Sequence, residues 1–372
     1  MIADSSLNGY DGSLMGNMLV MPTFDSTFNV SIDGAKAGLI TGIYTIGSVC
    51  SLPFIGPVTD KFGRRGGIFF GCAFVIIGTI IEGTTSFTGS LGQFMGGRFF
   101  LGFGVGVAAA AAPTYVVEIS HPSYRGTMTG LYNTIYNVGS IAAAGCLRGA
   151  VNYQDNRAWV IPTWIQMVMS ALVCFLIFLL PESPRWLYTH GRTEEAAAIL
   201  TKYHGEGNPD SIFVKLQMAE FVQELELDGA DKRWWEYRVL FNSPAARYRV
   251  FCLSIVSVFT QLCGNGVTSY FMPAFLATAG ITDPITVLNI NLGTSFAGLF
   301  FSVGGAFMVE RVGRRKLLFY ALCAISVMWV IITICTGVYN DTGRVGAADS
   351  AILFVNLFGV AYSIGLTPLQ AL

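Results

Sequence analysis

Two ionisable residues of the 372-residue chain stand inside apolar segments, where charged side chains are rare. Asp11 interrupts the first such segment, and Arg98 lies in GGRFFLGFGVG (96–106). A charge in the middle of a bilayer is costly unless it is paired, so such residues mark ion or proton pathways. An unpaired buried aspartate takes up a proton, whereas one beside an arginine stays ionised. The two residues therefore predict a proton-coupling pair; the alternatives are a static ion pair and an Asp11 hydrated at a frayed helix end.

A second set of charged residues recurs in two short loops. GPVTDKFGRR (56–65) and AFMVERVGRRK (306–316) share an acidic residue, a basic residue and Gly-Arg-Arg in the same order, 250 residues apart. Glycine permits a tight turn, and the carboxylate can accept hydrogen bonds from arginine side chains. The loops therefore predict a latch between helices, the alternative being plain anchoring of helix ends by basic residues. The predicted latch residues are Asp60, Arg64, Arg65, Glu310, Arg314 and Arg315.

The elements that must position these residues are membrane spans. Hydrophobic residues make up 53% of the chain and charged residues only 12%, against about 25% charged in an ordinary soluble domain. A soluble protein of this length could not bury so much apolar surface, which excludes a soluble enzyme. The net charge of −1 gives no electrostatic reason to expect nucleic acid as a partner. The composition predicts an all-α polytopic membrane protein.

Apolar segments of spanning length recur along the whole chain. Nine are clear, and a tenth at 5–24 is interrupted by polar residues. The nine predicted spans are 35–58, 66–86, 91–117, 126–149, 159–180, 248–278, 286–309, 315–338 and 348–371. With these spans, 17 of the 22 Lys and Arg residues lie on one side of the membrane and 4 on the other. The positive-inside rule then places the richer side, with both chain ends, in the cytoplasm.

One long polar stretch, 183–247, separates two groups of spans. Its segments EEAAAILTKYH and KLQMAEFVQELELD combine helical apolar spacing with many charges, which predicts amphipathic helices on the cytoplasmic face. A calmodulin-binding helix is the alternative, but the charge is mixed rather than basic. We expect a six-helix bundle over 1–182 with an incomplete first span, a cytoplasmic linker over 183–247, and four spans over 248–372. The similar GRR loops indicate that the two groups are duplicated halves, a signature of secondary transporters.

The chain resembles the sugar porter branch of the major facilitator superfamily. The matching motifs, in the order of the family, are GYDGSLMG (9–16), the two GRR loops, GGRFFLGFGVG (96–106), PTYVVEISHPSYRG (113–126), PESPRWL (181–187), QLCGNGVTSYF (261–271) and GLTPLQAL (365–372). The last two are most similar to fungal lactose permeases and hexose transporters. The resemblance implies two pseudo-repeated helix bundles around a central sugar site, with about ten of the family's twelve spans present. It implies sugar:proton symport by alternating access; a non-transporting sugar sensor and a non-functional truncated product are the alternatives.

The resemblance also implies roles for charged residues. Asp11 matches the first-span aspartate of proton-coupled members, and Arg98 matches its fourth-span partner. Four further residues match an intracellular charge network that the GRR loops join and that controls conformation rather than binding substrate. These residues are Glu118, Arg125, Glu182 and Arg185. The alternative for them is snorkelling of long side chains at the interface.

A sugar site needs a few polar side chains and an aromatic platform between helices. The candidates inside the predicted spans are Asn133, Tyr132, Gln261, Asn265 and Tyr270, with Asn289 and Asn291 near the start of the eighth span. By resemblance, Gln261 matches a glutamine that bonds sugar hydroxyls, and Asn133 stands where many members have glutamine. Asn265 precedes the usual asparagine by one position, and Gly298 replaces an eighth-span asparagine. Each candidate alone could instead join two helices.

Other residues indicate no further chemistry. The eight cysteines form no CxxC pair and mostly lie in apolar runs, and the three histidines lack metal-ligand spacing. We expect no catalytic set, no metal and no cofactor; the expected partners are a mono- or disaccharide, a proton and the lipid bilayer. Glu82 ends the third span and is expected at the membrane interface.

Assembly, location and completeness are also expectations. We expect a monomer in the plasma membrane. Because a bundle of ten spans would leave an apolar face uncovered, the chain as written is expected to transport poorly.

Overall fold

The computed structural model describes residues 2–30, 35–228, 241–270, 272, 276–277, 281 and 283–369. Over these residues the chain is built from helices joined by short loops. The α-helices are α1 (Ile2–Met18), α2 (Pro22–Phe28), α3 (Ala35–Gly83), α4 (Thr85–Thr88), α5 (Leu91–Ile119), α6 (Arg125–Thr134), α7 (Tyr136–Ala150), α8 (Arg157–Leu176), α9 (Pro184–Thr189), α10 (Thr193–Tyr203), α11 (Ile212–Asp228), α12 (Pro244–Leu262), α13 (Asn265–Tyr270), α14 (Pro284–Val312), α15 (Arg314–Thr342) and α16 (Val345–Gly365). Single 3₁₀ turns lie at Pro122–Tyr124, Ile177–Leu179 and Thr367–Leu369.

Six helical runs among the described residues are long and apolar enough to cross a membrane. One of them, Ala35–Thr88, has 54 residues and is interrupted at Gly63, so it holds enough chain for two crossings. The predicted span 126–149 is divided between α6 and α7, and the described part of 248–278 is divided between α12 and α13. The polar first segment forms α1 and the start of α2. Among the described residues each predicted span is therefore mainly helical, with helix breaks inside several of them.

Local sequence sets the beginning of three helices. Ser183, Ser243 and Asp283 each stand directly before a proline, and each side chain accepts a hydrogen bond from the backbone N–H three residues on. These donors are Trp186 at 3.2 Å, Ala246 at 3.0 Å and Thr286 at 2.9 Å. A capping side chain followed by proline is a strong helix start. The bonds from Thr286 stabilise the carboxylate, which lowers the pKa of Asp283 below its ordinary value.

The second arm of α3 packs very closely on α5 through glycines. A Cβ placed on Gly78 would lie 2.6 Å from the Leu101 nitrogen, and one on Gly97 would lie 2.8 Å from the Glu82 nitrogen. Gly104, in the GFGVG motif, would likewise meet the oxygen of Gly71 at 2.5 Å. The glycines of this motif therefore serve helix packing. The contact at Gly97, the residue before Arg98, therefore places the backbone of Glu82 beside α5.

Each half has its own apolar core. In the first half, Phe24, Phe28, Phe94 and Trp159 form a ring cluster with centroids 5.0–6.2 Å apart. In the second half, the cluster around Phe358 includes Trp329 at 5.4 Å between ring centroids. Large apolar side chains such as those of Phe175 and Phe300 are exposed on the outside. This arrangement suits a protein whose outer surface meets lipid rather than water.

The linker helices dock on the first half through a buried histidine. His204, at the end of α10, is 6% exposed, and its Nε2 lies 3.0 Å from the carbonyl oxygen of Ile119 at the end of α5. Its Nδ1 lies 2.7 Å from Oε1 of Gln217 on α11. One imidazole therefore joins a membrane helix to two helices of the polar stretch.

Candidate transport site

A central cavity of about 490 Å³ lies between the two halves. Side chains from α1, α3, α5, α6 and α7 line it on one side, and side chains from α12, α13, α14 and α16 line it on the other. The volume lies in the range of small-molecule sites. Much of the lining is polar, as a ligand with many hydroxyl groups requires.

Four of the five predicted sugar residues line the central cavity. They are Tyr132, Asn133, Gln261 and Asn265. Two of them, Asn133 and Tyr132, form hydrogen bonds within the protein. Asn133 donates from Nδ2 to the carbonyl oxygen of Thr367 at 3.1 Å. The hydroxyl of Tyr132 donates to the buried carboxylate of Asp4 at 2.7 Å. The side chain of the fifth, Tyr270, lies outside the described residues.

A break in the seventh span faces the cavity with polar residues. Gly264 has a φ of 95°, which separates α12 from α13. Trp329 on α15 donates from Nε1 to the freed carbonyl oxygen of Cys263 at 2.7 Å. Irregular backbone inside a membrane is tolerated where it is buried in protein or lines a cavity. The break lies between Gln261 and Asn265, and both side chains face the cavity.

Asn137 is a lining residue that the sequence analysis missed. It donates from Nδ2 to the Ser302 hydroxyl at 3.1 Å, which ties α7 to α14. A Cβ on Gly298 would lie 3.0 Å from Oδ1 of Asn137. Asn137, in the first half, therefore fills the space beside Gly298, in the second half. The available signal was its position four residues after Asn133, although the break at Ile135 lies between them.

The two asparagines at the start of α14 have different positions. Asn291 lines the cavity and donates from Nδ2 to Oδ1 of Asn17 at 2.6 Å. Asn289 instead accepts a hydrogen bond from Nε of Arg148 at 2.9 Å. Both contacts join the first half to the second.

Asp11 and Arg98 are both fully buried, and no hydrogen bond between them is found among the described residues. Both carboxylate oxygens of Asp11, and Nε and Nη1 of Arg98, lack a hydrogen-bond partner among the described residues. Arg98 lies within electrostatic reach of Asp11, and its guanidinium stands over the ring of Tyr44 at 4.9 Å. Tyr44 lines the central cavity.

Glu82, which was expected at the membrane interface, is buried inside the protein. Its side chain is 0% exposed, and Oε2 accepts a hydrogen bond from Nε2 of Gln166 at 3.2 Å. Glu82 also lies within electrostatic reach of Arg98 and Asp11. A second buried carboxyl group, that of Glu82, therefore lies near Asp11 and Arg98. The glycine contact between α3 and α5 holds Glu82 in this position.

The first GRR loop forms a dense charge network with the end of α5. Arg64 binds Glu118 with two hydrogen bonds of 2.9 Å, from Nε and from Nη2. The Ser183 hydroxyl donates to the same carboxylate at 2.5 Å. A weaker contact of 3.4 Å joins Arg64 to Asp60. Bidentate pairing of this kind is strong and directional.

Glu182 completes the network by binding the backbone of the loop. Its Oε1 accepts from the N–H groups of Arg64 at 3.1 Å and Arg65 at 3.4 Å. Gly63 has φ 81° and ψ 172°, and a Cβ there would lie 2.5 Å from Oε2 of Glu182. Arg65 donates from Nη2 to the carbonyl oxygen of Phe178 at 3.1 Å.

The remaining predicted network residues lie outside the cluster formed by Arg64, Glu118 and Glu182. Arg125 begins α6, and its Nε is buried with no hydrogen-bond partner among the described residues. Arg185, Arg314 and Arg315 are exposed. The side chain of Glu310 lies outside the described residues. Gly313 has φ 89° and joins α14 to α15, repeating the turn at Gly63 after 250 residues.

Comparisons with known proteins agree with this architecture. The profile of the family described as "Sugar (and other) transporter" matches residues 1–372. The high-affinity glucose transporter ght2 of Schizosaccharomyces pombe is 31% identical over 320 residues, covering 85% of this chain and 57% of that protein. The human proton myo-inositol cotransporter is 27% identical over 329 residues, covering 88% of this chain and 49% of that protein.

The fold is shared with a solved transporter. The chain is similar to the major facilitator proton:xylose symporter XylE bound to 6-bromo-6-deoxy-D-glucose, with a TM-score of 0.82 and 19% identity, covering 100% of this chain and 79% of that one. The chain spans about half the length of the two curated relatives. With the family profile matched over its whole length and a major facilitator fold, the chain is an integral membrane protein of the sugar transporter family.

Proposed function

We propose that this chain carries a sugar across the membrane together with a proton, by alternating exposure of the central cavity. The observation that carries the proposal is the polar cavity between the two halves, with the ring of Tyr44 between the cavity and buried Arg98. Asp11, also buried, lies within electrostatic reach of Arg98. Alternating access requires a site at the interface of two bundles that can rock against one another. The related proteins named for glucose and for proton-coupled myo-inositol or xylose transport support a polyhydroxylated substrate.

In this proposal the substrate is a monosaccharide or disaccharide of the hexose or lactose class. Gln261, Asn265 and Asn133 offer amide donors and acceptors to its hydroxyl groups, and Tyr132 and Tyr136 offer ring surface. Sugar binding in one half of the cavity draws the other half closer because both halves supply hydrogen-bonding groups. Asp11 takes up the proton in one orientation and releases it in the other, with Arg98 stabilising the ionised form.

The same proposal sets the orientation of the protein. The asymmetry of 17 against 4 basic residues supports a cytoplasmic location for the GRR loops, the polar stretch and both chain ends. We place the protein as a monomer in the plasma membrane, where a proton gradient can drive sugar uptake.

Uptake of a panel of radiolabelled sugars by yeast lacking its own sugar transporters tests the proposal, with an external pH electrode recording proton movement. We expect slow but measurable uptake of at least one sugar, with alkalinisation of the medium. Asp11→Asn should abolish the pH change, and Gln261→Ala should raise the sugar concentration needed for half-maximal uptake. Undiminished proton-coupled uptake by Asp11→Asn would contradict the coupling role.

Binding to the purified chain separates the alternatives. Calorimetric titration with the same sugars should show saturable binding that Gln261→Ala weakens. Binding without uptake would indicate a sensor instead of a transporter. Uptake without a pH change would indicate facilitated diffusion.

A further inference from the structure

Three buried ionisable side chains lie on helices that pack together: Asp11 on α1, Glu82 on α3 and Arg98 on α5. The backbone of Glu82 lies against Gly97, the residue before Arg98. Arg98 lies within electrostatic reach of both Asp11 and Glu82, and all three are at most 1% exposed. The neutral groups beside them include Gln166, which donates to both Glu82 and Thr79. We call Asp11, Glu82 and Arg98 the buried triad.

The charges of the buried triad do not balance if every member is ionised. Two carboxylates and one guanidinium leave one uncompensated negative charge in an apolar interior. An unpaired buried charge is strongly destabilising, and a carboxyl group in that position takes up a proton instead. Two carboxyl groups that share one site cannot easily both be ionised. The triad therefore holds one proton, and either carboxyl group can carry it.

The unpaired atoms of the triad leave that proton free to exchange. Both oxygens of Asp11, Oε1 of Glu82, and Nε and Nη1 of Arg98 have no hydrogen-bond partner among the described residues. A fully satisfied network would lock the guanidinium onto one carboxylate. Here Arg98 can pair with either carboxylate through small side-chain movements while the other carboxyl is protonated.

The triad also lies between the cavity and one end of the bundle. Tyr44 lines the cavity, and its ring contacts the guanidinium of Arg98 at 4.9 Å. Glu82 is the second-last residue of α3. It lies at the far end of the arm that runs from the Gly63 turn to Gly83. A shift of Tyr44 on sugar binding would move Arg98 relative to the two carboxyl groups.

We propose that Glu82 is a second proton-binding residue of the transport cycle, sharing one proton with Asp11 across Arg98. As Arg98 moves toward one carboxyl group, that group releases its proton to water on one side of the membrane, and the other group takes one up from water on the opposite side. The triad therefore always holds one proton, and one proton crosses the membrane in each exchange. This inference rests on the proposed proton coupling and adds Glu82 to it. The charged groups described around Glu82 are Arg98 on α5 and Asp11 on α1; Gln166 on α8 is neutral.

Proteoliposomes provide the functional test. Glu82→Gln keeps the size of the side chain and an amide that can bond Gln166, but it cannot exchange a proton. We expect normal sugar–sugar counterflow, which needs no net proton movement, and loss of sugar accumulation driven by a proton gradient. Glu82→Asp, which keeps a carboxyl group, should restore part of the accumulation, and exposed Glu194→Gln should behave as wild type. Unchanged accumulation by Glu82→Gln would overturn the proposal.

Infrared spectroscopy of the purified chain gives a readout independent of transport. A shared proton predicts that Glu82→Gln and Asp11→Asn each remove the absorption of the same single protonated carboxyl group, because either change leaves one carboxylate balanced by Arg98. Asp4→Asn identifies any band from the separate carboxyl group bonded to Tyr132. If Glu82→Gln leaves the band in place, Glu82 does not share the proton. If wild-type protein shows the band but no proton-driven uptake, the symport proposal fails while the shared proton stands.

Discussion

At the scale of single residues, the contact between Arg64 and Glu118 is the best-defined charged interaction of the described chain. Both side chains are largely buried, at 16% and 6% exposed, and they share two hydrogen bonds of 2.9 Å. A buried pair contributes little over an apolar replacement of both partners, but removing one partner leaves the other charge uncompensated. The pair therefore makes folding sensitive to loss of either member.

We expect Glu118→Gln to lower the free energy of unfolding by about 2 kcal/mol, since Arg64 then loses its charged partner at 2.9 Å and keeps only the weaker contact with Asp60. Thermal unfolding in detergent, followed by tryptophan fluorescence, measures the effect. Glu194→Gln, at an exposed position of α10, is the matched control and should leave the transition unchanged. Equal transitions for the two variants would show that Arg64 finds compensation elsewhere.

Asn137 allows a prediction about ligand contact at the same scale. If its amide bonds a sugar hydroxyl in the central cavity, Asn137→Ala should weaken binding by about 1 kcal/mol, or roughly fivefold in Kd. Calorimetric titration of the purified chain measures this change. Ser326→Ala is the control, because that exposed serine bonds only the carbonyl oxygen of Leu322 in its own helix among the described contacts. An unchanged Kd for Asn137→Ala would restrict Asn137 to its contact with Ser302.

Residue types inside apolar segments predicted part of the site. Gln261 and Asn133 were found because polar residues are expensive within spans, and both line the cavity. Asn137 was missed because it follows a helix break that apolar periodicity does not reveal. The position of Glu82 near a span end gave no sign of its burial, which follows from the contact of α3 with α5.

At the scale of elements, the two GRR turns are alike in backbone and different in surroundings. Gly63 and Gly313 have φ values of 81° and 89°. Around Gly63 the carboxylate of Glu182 fills the space that a Cβ would occupy. A Cβ placed on Gly313 would meet no such side chain within 4 Å among the described residues. The sequence repeat predicted two similar turns, and only the tertiary contacts reveal that they differ in packing.

This difference predicts unequal effects of the same substitution. Gly313→Ala should cost about 1 kcal/mol, since alanine tolerates such backbone angles poorly. Gly63→Ala should cost about 3 kcal/mol, because it adds displacement of Glu182 from the N–H groups of Arg64 and Arg65 to the backbone strain. Thermal unfolding of both variants in one detergent makes the comparison. An equal or larger loss for Gly313→Ala would contradict the packing difference.

At the scale of the whole molecule, hydrogen bonds join the two halves at opposite ends of the central cavity. Asn133 bonds Thr367 at the end that carries the GRR turns, and Asn17 bonds Asn291 at the other end. Composition predicted the membrane class, and the repeated GRR loops predicted the duplicated halves. They could not predict these contacts, which depend on how two separately packed bundles meet.

Alternating access requires each end of the cavity to open in turn, so a covalent tether at either end should stop transport. We expect a short thiol-reactive cross-linker to block uptake after Asn17→Cys with Asn291→Cys, and also after Asn133→Cys with Thr367→Cys. Each single variant treated in the same way is the control for modification of the eight native cysteines. Because a tether limits opening without filling the cavity, equilibrium sugar binding should persist in the Asn17→Cys and Asn291→Cys pair, which leaves the proposed sugar residues in place. Full uptake by a completely cross-linked pair would show that the halves do not separate at that end, and alternating access between these bundles would then be wrong.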